Sequence, residues 1–208
     1  MWGSAIWPVT LEHGDLALRP IRYRDRREWT EVRSRNSEWL APWEASNPAP
    51  GGHLPNYRQM VASLNEQARH ASALPFVITE RTPGFRKPKI VGQLTVSSIV
   101  WGSAMMATLG YWVDKERAGR GIAPTAVALA TDHCFRTLGL HRMEINIRPE
   151  NAPSLRVVEK LGFRDEGYRE RFLHINGEWA DHRTFALTSE EVPEGIHARW
   201  MKGGAGSA

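Results

Sequence analysis

The sequence predicts an α+β sandwich: one mixed sheet with helices packed against it, in a single domain. Three observations carry that prediction. Strand-like and helix-like segments follow one another as strand, two helices, three strands, helix, strand, helix, two strands. The 208 residues suffice for one full core and are few for two. The apolar fraction of 41% and charged fraction of 24% are those of an ordinary water-soluble globule.

The elements can be justified in order. "LALRPI", from Leu16, alternates as a strand, and Pro20 sets it at an edge or a strand end. Asp25 is suited to cap the helix "RREWTEVRSRN", which carries Trp29 and Val32 on one face. "EWLAPWEASNPAPGGHLP" is rich in Pro, Gly and Trp and reads as a long loop. "NYRQMVASLNEQARHA" has Tyr57, Met60, Val61 and Leu64 at helical spacing.

"LPFVITE" is a strand, and "IVGQLTVSSIV" and "MATLGYWV" form a hairpin around "WGSA". After a glycine turn, a helix runs over 124–138 and Gly139 ends it. "HRMEINIRP" is a strand with Met143, Ile145 and Ile147 on one side. "NAPSLRVVEKLGF" is a short helix with Asn151 as N-cap, Pro153 in the first turn and Gly162 at its end. "YRERFLHINGEWADHRTFALT" is a hairpin turning at Asn176-Gly177.

Several classes of function are disfavoured. One cysteine, Cys134, permits no internal disulfide and no cysteine metal cluster. The eight histidines show no HExxH-type spacing, so no metal is expected. The longest apolar run is roughly ten residues, too short for a membrane span. The N-terminus lacks a secretory pattern, which with the lone cysteine suits a cytoplasmic location. A net charge of +4 suits an anionic small ligand. No basic block or nucleic-acid motif accompanies it, so direct nucleic-acid binding is not expected.

The chemistry gathers at "YWVDKERAGRGIAPTAVALA", from Tyr111 to Ala130. A strand leading through glycines into a helix is an anion-binding device. The first amides of a helix have no internal partner, and the helix dipole favours negative charge there. Gly119 to Ala123 would present several amides in succession, followed by Pro124, which has none. Arg117 and Arg120 add charge that can pair with phosphate. The pattern is neither GxxxxGK[ST] nor GxGxxG.

These motifs resemble the GNAT (Gcn5-related) acetyltransferases. Their cofactor loop reads [QR]-x-x-G-x-[GA], and Ala118, Gly119, Arg120, Gly121, Ile122 and Ala123 lie on it, with Ala118 in the place of the Gln or Arg. Within that family "RNSEWLAPWE", "GYWVDKERAGRGIAPTAV" and "RPENAPSLRVVEKLGFRDEGYRERFLHINGEWADHRTFAL" resemble the RimJ/RimL group of protein N-terminal acetyltransferases, and its RimJ branch most.

The resemblance implies a mostly antiparallel twisted sheet flanked by about four helices. A cofactor wedge would open between two parallel strands, here 106–113 and 142–148. It implies acetyl-CoA as cosubstrate, its pyrophosphate on the loop amides and its pantetheine arm on the backbone of Tyr111, Trp112 and Val113. Asn151 would contact the arm, and Arg156 is a candidate for the phosphates. Ser154 would lie near the sulfur as candidate general acid. The family's tyrosine before the Glu-Lys pair is replaced by Val158. The base of RimL-like members is replaced by Leu173. Glu80, Glu170, His174 and Asp181 remain candidate bases, with Glu144 less attractive and Glu170 the weak choice. Trp39, Trp43 and Trp179 would wall the acceptor groove.

The expected organisation is an N-terminal extension over 1–14, the acetyltransferase domain over 15–190 and a loose tail over 191–208. The expected acceptor is a protein N-terminus, of a ribosomal protein in particular. A small-molecule amine and a catalytically silent acyl-CoA-binding module stand as alternatives. Monomer and homodimer are both compatible with the sequence.

Overall fold

The computed structural model describes residues 6–49 and 55–204. Eight strands form one sheet in the order β1-β2-β3-β4-β5-β6-β8-β7. They are β1 (Leu11–His13), β2 (Leu16–Pro20), β3 (Leu74–Glu80), β4 (Lys89–Val100), β5 (Met106–Val113), β6 (Arg142–Ile147), β7 (Arg164–Ile175) and β8 (Glu178–Thr188). The pair β5–β6 is parallel and every other pair is antiparallel. The mixed sheet and the parallel pair are as the resemblance implies.

Six helices are described: α1 (Arg26–Arg35), α2 (Ser37–Leu40), α3 (Tyr57–Arg69), α4 (Ile122–Arg136), α5 (Ala152–Leu161) and α6 (Ile196–Gly204). The two beyond the expected four are short α2, inside the segment read as loop, and α6 in the tail. The sheet is covered on both faces. The larger core joins the sheet to α4 and α5 through residues such as Phe76, Leu94, Leu109, Ala126, Met143 and Val158. The smaller core, Ile21, Val61, Val77 and Ile90, joins the other face to α1 and α3, where Trp29 and Met60 pack. β3 is buried at all seven positions, as a central strand covered on both faces must be.

Local signals set most helix starts. Asn56 and Gln59 form a reciprocal capping box at α3, with both bonds at 3.0 Å. Asn151 caps α5 by accepting from Ser154 N at 3.2 Å. Asp25 departs from expectation. Its carboxylate takes Arg22 N–H at 2.9 Å and the Arg19 guanidinium at 2.7 Å, and does not cap α1. The hairpin turn has φ of 49° at Asn176 and 90° at Gly177, the left-handed pair that suits a two-residue hairpin.

Both termini correct the sequence reading. In the expected N-terminal extension, β1 pairs with β2, and Trp7 meets Phe76 edge-on at 5.1 Å. Residues 1–5 lie outside the described residues. In the expected loose tail, Val192 and Ile196 are buried. Asp132 on α4 accepts from Ile196 N at 2.8 Å and His197 N at 3.1 Å, so it caps α6 from another helix. Trp200 Nε1 donates to Thr125 Oγ1 at 2.9 Å. Residues 205–208 lie outside the described residues. α4 begins at Ile122 and ends at Arg136, two residues earlier at each end than its pattern suggested.

Candidate active site

The parallel pair is short. Register holds only at Met106–Arg142, Ala107–Met143 and Thr108–Glu144. Beyond Thr108, β5 stays paired to β4 as far as Gly92–Val113, and β6, paired to β8 along its whole length, no longer pairs with β5. The β5 edge from Leu109 to Val113 therefore lacks a β6 ladder partner. Backbone groups there are free for an extended ligand arm.

β5 delivers the chain into the turn. Asp114 at its end is 1% exposed and receives Arg35 and, at 2.8 Å, Asn36 Nδ2, while Asn36 Oδ1 accepts from Lys115 N at 2.9 Å. Burial alone would raise the Asp114 pKa, but the hydrogen bonds from Arg35 and Asn36 outweigh it and hold the carboxyl below its ordinary value. The first glycine follows at φ 79°, and Gly121 serves as N-cap of α4 at φ 78°. Glycine adopts this left-handed conformation without strain. Among the described residues, the N–H groups of 119–123 have no backbone acceptor.

The two arginines of the turn go elsewhere than expected. Glu80, at the end of β3, lies 2.9 Å from Arg117 Nη1 and 3.2 Å from Arg120 Nη2. Both cations of the turn are therefore paired with one carboxylate. Arg117 still lines the cavity beside the turn. Arg120 lines a separate hollow with Glu80 and Trp200.

One cavity of about 710 Å³ runs along this wedge. Its first side holds Tyr111, Trp112, Val113, Ala118, Gly119 and Gly121. Ile122, Ala123, Asn151, Ser154 and Arg156 complete that side. Of the residues expected to hold the cofactor, Arg120 is the one outside the cavity wall. Asn151 accepts from the Ser154 amide, and both residues line the cavity. The Tyr111 hydroxyl is buried and makes no full hydrogen bond. Burial pushes its pKa up to about 12, a rise the neighbouring Ser154 hydroxyl holds back.

The second side is aromatic. Trp39 and Trp43 line it, joined by Trp29 and Trp112. Trp29 donates to Gln93 Oε1 at 2.8 Å and meets the Trp112 ring edge-on at 6.3 Å. Arg33 lies over both rings, 5.1 Å from Trp112 and 5.7 Å from Trp29, and pairs with Glu44. Trp179 is 55% exposed on the hairpin, meets His174 edge-on at 5.3 Å, and does not line this cavity.

None of the candidate bases lines this cavity. Glu170 stands exposed on β7. His174 Nδ1 is 2.9 Å from Ser46 Oγ, and Asp181 receives the Tyr168 hydroxyl at 2.6 Å and Arg171 N at 2.7 Å. Glu144 is held by Arg142 at 2.8 Å. The carboxylate that does line the cavity, Glu44, was missed. It precedes a segment strapped to the hairpin: Asn176 N donates to Glu44 O and Ser46 N to His174 O, both at 2.9 Å. The available signal is the run "PWE" at the end of "RNSEWLAPWE". Cys134 is fully buried in α4, where burial pushes its thiol up to about 12, so it is not a nucleophile for acyl transfer.

Comparison with known proteins places this geometry. The sequence model of the family described as "Acetyltransferase (GNAT) domain" matches residues 15–164. The chain is 28% identical over 192 residues to the [ribosomal protein uS5]-alanine N-acetyltransferase of Escherichia coli (strain K12), covering 92% of this chain and 97% of that one. The structure of Mycobacterium smegmatis RimJ in complex with CoA-disulfide superposes with a TM-score of 0.85 at 37% identity, covering 95% of this chain and 96% of that chain. The ribosomal-protein-S5-alanine acetyltransferase from Vibrio fischeri superposes with a TM-score of 0.75 at 30% identity, covering 88% and 98%.

Proposed function

From the premise that this chain belongs to the GNAT acetyltransferase family, we propose that it transfers the acetyl group of acetyl-CoA to the α-amino group of a protein N-terminus, of the ribosomal-protein alanine type. The observation that carries this reading is the splayed β5–β6 pair. Its unladdered edge and the free amides of 119–123 lie on one cavity with an aromatic groove. The similarity to uS5-alanine acetyltransferases extends over nearly the full length of both chains and supports the acceptor class.

The residues fit acetyl-CoA. The turn amides would hold its pyrophosphate, with Arg117 and Arg156 at hand on the cavity wall. The free edge over Tyr111, Trp112 and Val113 would pair with the amide-bearing arm, and a backbone N–H there would polarise the acetyl carbonyl. Acetyl-CoA supplies an activated thioester, which a neutral amine attacks directly. Ser154 lines the cavity beside Tyr111, with its amide capped by Asn151, and its hydroxyl would give the departing sulfur its proton.

The test is a screen with labelled acetyl-CoA against peptides beginning with Ala or Ser and against small amines such as polyamines and amino acids. Label on the peptides supports the reading. Label on small amines alone replaces it with a small-molecule acetyltransferase. No label, with acetyl-CoA still bound, points to a silent acyl-CoA-binding module.

A further inference from the structure

We infer that Glu44 is the carboxylate that receives the acceptor's amino group. This rests on the reading of the chain as an amine acetyltransferase and refines its acceptor side.

Among the described residues, Glu44 is the one Asp or Glu on the wall of the cavity that also holds Ser154 and the glycine turn. Its backbone is pinned from two directions, its N–H to Ala41 O at 3.3 Å and its carbonyl to Asn176 N at 2.9 Å. The next residue, Ala45, bridges to Ile175. The backbone is thus fixed while the side chain stays 42% exposed. Arg33 pairs with Oε1, which leaves Oε2 for a second donor.

The surroundings suit a cation. Arg33 already holds one there, over the faces of Trp112 and Trp29. Trp112 sits on the free edge of β5, so Glu44 is coupled to the wedge through Arg33. A protonated amine entering from solvent is drawn by charge to the carboxylate oxygen that Arg33 does not hold. The ammonium gives one proton to solvent water, and the neutral amine then donates an N–H to Glu44 and keeps its lone pair for the thioester carbonyl.

The experiment compares wild type, Glu44→Gln and Glu44→Asp on whichever amines the wild type accepts. Acetyl-CoA binding, measured by calorimetry, should stay within about twofold in all three and reports that the variants fold. The acceptor KM should rise about tenfold or more in Glu44→Gln and recover in part in Glu44→Asp. The wild-type KM should also rise with salt, and Glu44→Gln should lose that dependence. Unchanged acceptor KM and salt dependence in Glu44→Gln overturn the inference, even if peptides are acetylated. Acetylation of small amines alone, with the Glu44→Gln effect intact, overturns the protein-terminus reading and keeps Glu44. A wild type that acetylates no amine overturns both.

Discussion

Glu80 reaches across from the end of β3 to Arg117, 2.9 Å away, and holds Arg120 with its other oxygen at 3.2 Å. The glycine turn that leads into α4 therefore rests on a carboxylate. Glu80→Gln should leave two cations without their counter-charge and loosen the turn. Stability should fall by about 1–2 kcal/mol, discounted because Arg120 is half exposed. The acetyl-CoA KM should rise several-fold with kcat little changed. Thermal melts with and without acetyl-CoA, together with steady-state kinetics, check both. An unchanged KM would show that the pairing serves the fold alone.

Gly121 caps α4 at φ 78°. A Cβ there has room, its nearest neighbour being Trp200 Cζ2 at 3.7 Å, so the penalty is conformational. Gly121→Ala should cost about 1–2 kcal/mol. Gly121→Asp adds a negative charge where the amides await an anion, and should weaken acetyl-CoA binding at least tenfold in calorimetry. Equal affinity in Gly121→Asp would move the cofactor away from this turn.

Ser154→Ala removes the hydroxyl but keeps the amide that Asn151 caps. Helix α5 should persist, acetyl-CoA should still bind, and kcat should fall by about tenfold to a hundredfold, at or below the low end for a lost acid–base group because a thiolate leaves readily. Single-turnover kinetics would isolate the step. An unchanged kcat would pass the proton to solvent.

His197 lies on α6 with its ring 4.5 Å from that of His13 and its Nε2 buried without a partner. Burial, reinforced by His13, lowers its pKa below the ordinary histidine value, with Asp132 opposing. Burial likewise lowers His133 and His182. For each, the unfolded chain binds a proton at a pH where the folded chain does not. Their contribution is present above the unfolded value near ~6.5 and is lost as pH falls through it. Denaturant titrations should show stability dropping between pH 7 and pH 5. The slope should be shallower in His197→Gln, and an identical slope would take His197 out of the account.

The features the sequence by itself determined are those whose causes sit within a few residues. The paired glycines before α4, the Asn151 cap three residues from Ser154, and the Asn176-Gly177 hairpin turn all follow from local backbone preference. The succession of periodic segments likewise led to the mixed sheet, because burial on one or two faces leaves its period in the chain.

Tertiary structure alone decided which distant side chains meet. Glu80 meets Arg117 because β3 and the α4 entrance end at the same place in the sheet. The tail docks because Asp132, 64 residues before Ile196, caps it. Trp29 and not Trp179 lines the cavity, because α1 brings Trp29 against Trp112, while Trp179 stands exposed on the β7–β8 hairpin. Glu44 reaches the cavity because its loop is laced to that hairpin, more than a hundred residues later in the chain. Charge pairing and aromatic contact across such separations leave no period in a sequence. They depend on the three-dimensional register of elements, which only the assembled core sets.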